Sequence, residues 1–240
     1  MISWVQAALL GLMSCCAAST IACLGTTVGN YTLNRPLIAS VFVGLILGDV
    51  KGCIQIAVPM QIIYIALVTP GGTVAADLRA VSYIGIPLAW ALAKSQGLDL
   101  GGSEASGLAG ALGAMVGTVG TVQFYGTAMM NLVWQHIGWA RLDKKDFSIV
   151  GKVEVIFPLI SHLLISFIPV MLIVYYGADA VDQFKEALPM GSWYMKSLFT
   201  LGSLLPAVGI AILLKSVVNK ATDLIFFLFG FTLAGSMHLT

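Results

Sequence analysis

The chain has 240 residues, 58% of them hydrophobic and only 10% charged, and its 12 Lys and Arg against 11 Asp and Glu leave a formal net charge of +1. Soluble domains carry about 25% charged residues, so a chain with mean hydropathy +0.94 cannot clothe a globule in polar surface, and lipid must be its solvent. The balanced charge also excludes nucleic-acid binding, which needs a clustered basic face.

At about 20 apolar residues per crossing, the length accommodates roughly seven or eight segments, some only half-spanning. The first runs from Trp4 to Gly25 and holds the small residues Ala17, Ala18, Ser19 and Thr20, which let helices approach closely in lipid. No basic residue precedes it, so it reads as a retained helix and not as a cleavable signal peptide.

Two shorter runs follow, Pro36–Leu47 and Cys53–Val68. The first ends on Gly48-Asp49. The second contains Pro59 and a polar Gln61, and closes on Thr69-Pro70-Gly71-Gly72-Thr73 and Asp77. Together they predict a re-entrant or broken helical hairpin. Apolar segments interrupted by Gly, Pro and isolated polar groups are how transporters build substrate sites near mid-membrane.

Further apolar segments span Val81–Ala93, Ala105–Trp134, Val155–Tyr176, Trp193–Leu214 and Leu224–Leu239. Gly110, Gly113, Gly117 and Gly120 recur at three- and four-residue spacing on one helical face, a pattern for close helix packing. No polar tail follows the last segment, and one further crossing is expected beyond Thr240. Arg141, Lys144, Lys145 and Lys152 form one basic loop, and Lys215 and Lys220 another. The Gly177–Pro189 loop and the Asp99–Glu104 loop are acidic. The positive-inside rule places the two basic loops in the cytoplasm. The expected fold is an all-α integral membrane protein, a multi-span helical transporter with re-entrant or broken helices, forming one domain over residues 1–240.

Several enzyme classes are excluded by their missing motifs: there is no His-Glu-x-x-His, no Gly-x-Ser-x-Gly and no Walker loop. Cys15, Cys16, Cys23 and Cys53 lack Cys-x-x-Cys spacing and read as packing thiols. No metal or cofactor is expected. His136, His162 and His238 are far apart, and His162, inside an apolar segment, reads as a helix-packing residue. Gln61 has two readings. Its amide both donates and accepts, which suits a sugar hydroxyl or equally an interhelical hydrogen bond. Asp77 either accepts two sugar hydroxyls or caps the next helix. Asp49 and Lys51 read as a local turn with a charge pair, and Arg35 precedes a Pro36 placed where helices start. Trp90, Trp134, Trp139 and Trp193 lie near segment ends as aromatic-belt anchors.

Asn34-Arg35-Pro36-Leu37-Ile38-Ala39, followed by Val43 to Gly48-Asp49, resembles the His-Arg-Pro-Leu-Ile-Ala … Gly-Asp signature of a transport family. That family is the membrane subunit IIC of bacterial phosphotransferase systems of the mannose, fructose, sorbose and N-acetylgalactosamine type. The likeness continues in Met60-Gln61-Ile62-Ile63, Val74-Ala75-Ala76-Asp77, Trp134-Gln135-His136, Leu188-Pro189 and Gly202 to Ile210. Gln61 departs from it, standing where the family usually has Glu.

The resemblance implies a sugar permease in a bacterial inner membrane that binds and translocates a hexose or N-acetylhexosamine. Phosphate from phosphoenolpyruvate would pass through soluble IIA and IIB carriers, with IIB phosphorylating the sugar. The membrane partner would be a IID subunit, assembled as a trimer of IIC–IID pairs. Gln61 and Asp77 match the family's site positions, with Asn34 and Asp49 as supporting candidates. No phospho-accepting or catalytic residue is identified on this chain. The competing readings are a phosphorylation-independent facilitator, a non-transporting receptor or scaffold, and a membrane-embedded lipid-group transferase. The last would want an Asp-Asp-x-x-Asp run that this sequence lacks.

Overall fold

The computed structural model describes residues 2–18, 24, 26–65, 67, 76–187, 193–218 and 220–237, and among these every regular element is helical. Helix α1 (Trp4–Cys16) opens with a capping box. Gln6 N–H donates to Ser3 Oγ at 3.3 Å and Ser3 N–H to Gln6 Oε1 at 2.9 Å, so two otherwise free amides are satisfied. The expected helix to Gly25 stops at Cys16 because the chain turns back. A π-helical stretch, Thr26–Leu33, lies against the end of α1. A Cβ at Gly29 would sit 2.7 Å from the Cys16 carbonyl oxygen, so only glycine fits there.

Helices α2 (Pro36–Leu47) and α3 (Val50–Ile63) form the predicted hairpin. Pro36 sits in the first turn of α2, where its missing N–H costs nothing. Gly48 closes α2 in the left-handed conformation at φ 80°, which favours glycine. A Cβ at Gly44 would lie 2.5 Å from Val50 Cα, so the two arms nearly touch at the turn. At 1.5 Å per residue the arms are about 18 and 21 Å long, short of the roughly 30 Å hydrocarbon layer. Neither arm by itself is long enough to cross it.

The single turn α4 (Leu78–Ala80) passes through a π-helical turn, Val81–Gly85, into α5 (Ile86–Ser95). Helix α6 (Ser103–Leu142) is 40 residues long, well beyond the expected Ala105–Trp134. It spans about 60 Å, so it extends past the bilayer into the basic loop. Helix α7 (Phe157–His162), a π-helical turn (Leu163–Phe167) and α8 (Ile168–Ala187) follow as one bent run. Helix α8 continues where a loop from Gly177 to Pro189 is expected. Its Ala, Gln, Lys and Glu residues favour helix, and no Pro falls between Gly177 and position 187. Helices α9 (Trp193–Val217) and α10 (Leu224–Met237) complete the described chain.

The core is built from α1, α2, α3, residues 76–93, the first half of α6, and Val170 and Val174 of α8. Along α6 the glycine face admits its neighbours: Gly113 faces Met60, Gly117 faces Tyr64 and Val81, and Gly120 faces Asp77 and Ala80. Tyr64 Oη donates to the Gly113 carbonyl at 3.2 Å. Helix α1 leans on α8, where Trp4 stacks on Tyr175 at 4.1 Å between ring centroids. Large apolar side chains cover the outside, including Val122, Met129, Phe226 and Phe229, as a lipid-embedded surface requires.

Candidate functional site

The half-buried start of α2 is where several polar groups converge. Leu37 N–H is one of the free amides at that helix start, and it donates to Gln61 Oε1 at 3.4 Å. Asn34, two residues ahead of Pro36, has its Nδ2 on Asn30 Oδ1 at 3.1 Å. Its backbone carbonyl accepts from Ser82 Oγ at 3.0 Å. The neighbouring Leu33 carbonyl accepts from the buried Tyr83 hydroxyl at 2.9 Å. Asn34 Oδ1 is buried and has no hydrogen-bond partner. A buried acceptor left unmade costs about 1–3 kcal/mol, so this atom is a vacant position for a donor such as a hydroxyl.

Asp77 lies on the same chain segment as Ser82 and is 3% exposed. Its backbone N–H donates to the Gly117 carbonyl at 2.9 Å, which fastens it to α6. Its carboxylate is already engaged. Oδ1 accepts from the Arg79 N–H at 2.9 Å and from Arg79 Nε at 3.1 Å, and Oδ2 accepts from Arg79 Nη2 at 2.8 Å. The capping reading of Asp77 is therefore realised, with a guanidinium fork added. One lone pair of Oδ2 is left for a further donor. Arg79 escapes a reading by segments, although a cation two residues after an acid at the head of an apolar run is a signal for such a pair.

Asp49 is elsewhere. It occupies the hairpin turn, at the opposite end of α2 from Asn34 and Gln61, about 18 Å along the helix. It caps α3 through Gly52 N–H at 3.0 Å, accepts from Trp90 Nε1 at 3.0 Å and pairs with Lys94 Nζ at 2.8 Å. The Lys94 ammonium also stands 4.6 Å from the centre of the Trp90 ring. These donors, the Lys94 bond foremost, hold the Asp49 carboxyl down at about 2. Trp90, expected as an aromatic-belt anchor, bonds to the hairpin turn in the structure.

The remaining expectations fall as follows. Cys15 and Cys53 are buried free thiols, and His162 is 1% exposed with Nδ1 3.4 Å from Ser166 Oγ. Thr69 to Thr73, Cys23, Leu188-Pro189 and His238 lie outside the described residues. Among the described residues no cluster of His, Cys, Asp or Glu has the makings of a metal site.

A helical membrane protein with a short hairpin and a polar cluster at the hairpin's open end belongs to the transporter class. The model of the PTS system sorbose-specific IIC component matches residues 4–240, and the chain belongs to that family. It is similar to the PTS system sorbose-specific EIIC component of Klebsiella pneumoniae, 23% identical over 239 residues, covering 100% of this chain and 83% of that protein. It is equally similar to the mannose-specific EIIC component of Escherichia coli strain K12, 23% identical over 233 residues, with coverage of 97% and 81%. Two solved structures share the fold. One is described as the structure of a membrane protein, with TM-score 0.73 and 20% identity, covering 98% of this chain and 88% of that one. The other is a complex of the mannose transporter ManYZ with microcin E492, with TM-score 0.54 and 21% identity, covering 98% and 87%. The chain is therefore a membrane-embedded, all-helical IIC component of the mannose and sorbose family.

Proposed function

We propose that this chain binds a hexose or N-acetylhexosamine and carries it across a bacterial cell membrane as the multi-pass IIC subunit of a phosphoenolpyruvate-dependent phosphotransferase system. In this reading the sugar is phosphorylated by a separate IIB subunit supplied by IIA. A IID subunit completes the membrane unit, assembled as a trimer of pairs. The unpartnered Asn34 Oδ1, at the helix start that Gln61 reaches through Leu37, carries the proposal. A buried acceptor next to an amide is the arrangement that a ring hydroxyl, donor and acceptor at once, completes. Asn34 accepts from the sugar, the Gln61 amide donates to it, and Asp77, aimed by Arg79, offers its remaining Oδ2 lone pair. Asp49, at the far end of α2, positions the hairpin. The pairing with IID is supported by the likeness to a chain of the ManYZ complex.

The test is phosphoenolpyruvate-dependent sugar phosphorylation in membrane vesicles containing this chain, its IID subunit and the soluble carriers. Mannose, fructose, sorbose, N-acetylglucosamine and N-acetylgalactosamine are offered in turn. Phosphorylated product from one of them is the expected result. Uptake of free sugar without phosphoenolpyruvate would replace the proposal with a facilitator, and no binding of any sugar by the assembled complex would replace it with a scaffold.

A further inference from the structure

Helix α6 changes character along one face. Gly113, Gly117 and Gly120 fill its first half against α3 and the Asp77–Val81 segment. Past Gly120 the same face turns polar. On a helix of 3.6 residues per turn, Gly120, Thr127 and Asn131 fall within about 40° of one another, with Gln123 at their flank. Thr127 is 4% exposed, and its hydroxyl is turned back onto the Gln123 carbonyl at 2.9 Å. Gln123 Nε2 and Asn131 Oδ1 are both buried and both without a hydrogen-bond partner. One is a vacant donor and the other a vacant acceptor, about 12 Å apart along the axis.

Uncompensated amides inside a membrane segment are costly, and they mark solute and ion pathways where they occur. Packing does not account for these two, because packing amides are retained by the bonds they make. Their place on the helix gives the direction. The run begins one turn past Gly120, which abuts Asp77, and ends about 15 Å short of Arg141. Arg141 opens the basic loop that the positive-inside rule puts in the cytoplasm.

We infer that Gln123, Thr127 and Asn131 form a second polar station on the inward side of the Asn34–Gln61–Asp77 cluster, contacted by a polyhydroxyl solute on its way to the cytoplasm. The inference rests on the sugar reading proposed above. The vacant donor and vacant acceptor serve one neutral solute that can both give and take hydrogen bonds. An anion would use only the donor, and a cation only the acceptor.

The experiment is cysteine accessibility in the full chain, with its IID subunit and soluble carriers, in membrane vesicles. Asn131→Cys and Thr127→Cys are compared with Met129→Cys, whose native side chain is 72% exposed and apolar. The unmodified chain's own four cysteines set the background. The probe is a charged methanethiosulfonate, and the protectants are mannose, sorbose and N-acetylgalactosamine. At least tenfold faster modification at positions 127 and 131 than at 129, slowed severalfold by the one sugar that the same vesicles phosphorylate, is expected. Equal or absent modification in phosphorylating vesicles overturns the station and leaves the proposed function standing. So does modification that no sugar slows. Phosphorylation of no sugar fails the proposed function and the station's solute together, while fast modification in those vesicles would still report a hydrated face. If Asn131→Cys does not assemble, Thr127→Cys, a swap of similar volume, carries the same reading.

Discussion

Arg79 closes on Asp77 as a fork, Nη2 2.8 Å from Oδ2 and Nε 3.1 Å from Oδ1, with both side chains no more than 5% exposed. Removing one partner of such a pair strands a buried charge, at about 3–5 kcal/mol. Arg79→Leu and Asp77→Leu should each lower the thermal midpoint of the purified complex sharply. The double change Asp77→Asn with Arg79→Gln should recover most of that loss. Single variants as stable as the double would show that the fork contributes nothing.

The two ends of α2 should respond differently to substitution. Asn34→Leu and Gln61→Leu each remove a neutral hydrogen bond proposed for the sugar, about 0.5–1.5 kcal/mol, so KM should rise about twofold to tenfold. Asp49→Asn should leave KM unchanged and reduce the amount of folded complex, because it loosens the turn. Steady-state phosphorylation with the transported sugar separates the two. A raised KM in Asp49→Asn with Asn34→Leu unaffected would invert the assignment.

Gln61 caps the start of α2, where the helix dipole favours negative charge. Gln61→Glu, the residue usual in the family, should therefore assemble normally and raise stability by about 0.3–1 kcal/mol near neutral pH. A thermal midpoint well below that of the unmodified complex would contradict this placement.

The Asp49–Lys94 contact predicts an acid limit. Asp49 titrates at about 2 in the folded chain, below an ordinary aspartate near 3.9. A lowered folded value means that its stabilisation is fully present above about pH 4 and disappears as pH falls toward 2. Lys94 is 49% exposed, and solvent screening holds the contribution to about 1 kcal/mol or less. Thermal midpoints should be level from pH 7 to about pH 5 and then fall, and Asp49→Asn should flatten that part of the acid limb.

Glycines on α6 and α10 should respond with opposite sign. A methyl at Gly117 would run into Tyr64 and Val81, whereas nothing lies within 4 Å of a Cβ at Gly230. Overpacking costs about 1–3 kcal/mol, so Gly117→Ala should destabilise. Gly230→Ala should be neutral or stabilise by up to about 1 kcal/mol through helix propensity. Comparing the two thermal midpoints in detergent checks the close approach directly.

The sequence by itself determined the solvent, the helical class, the short hairpin and the family. Each of these is written locally: a tenth of residues charged, runs closing on Gly48-Asp49, Pro36 at a helix start, and the Asn34 to Asp49 signature. It also singled out Gln61 as a polar side chain in an apolar run, and the family resemblance added Asn34. Only the tertiary structure decided which of them meet. Gln61 reaches the Asn34 end of α2, bonding Leu37 N–H, because α2 and α3 fold back at Gly48, while the same fold sends Asp49 to the other end, onto Trp90 and Lys94. The break of α1 at Cys16, where Gly29 comes up against the Cys16 carbonyl, was likewise settled by a contact between segments. Hydropathy registers how apolar a run is but not which face of it meets another, and in lipid, pairing between faces fixes where polar atoms go.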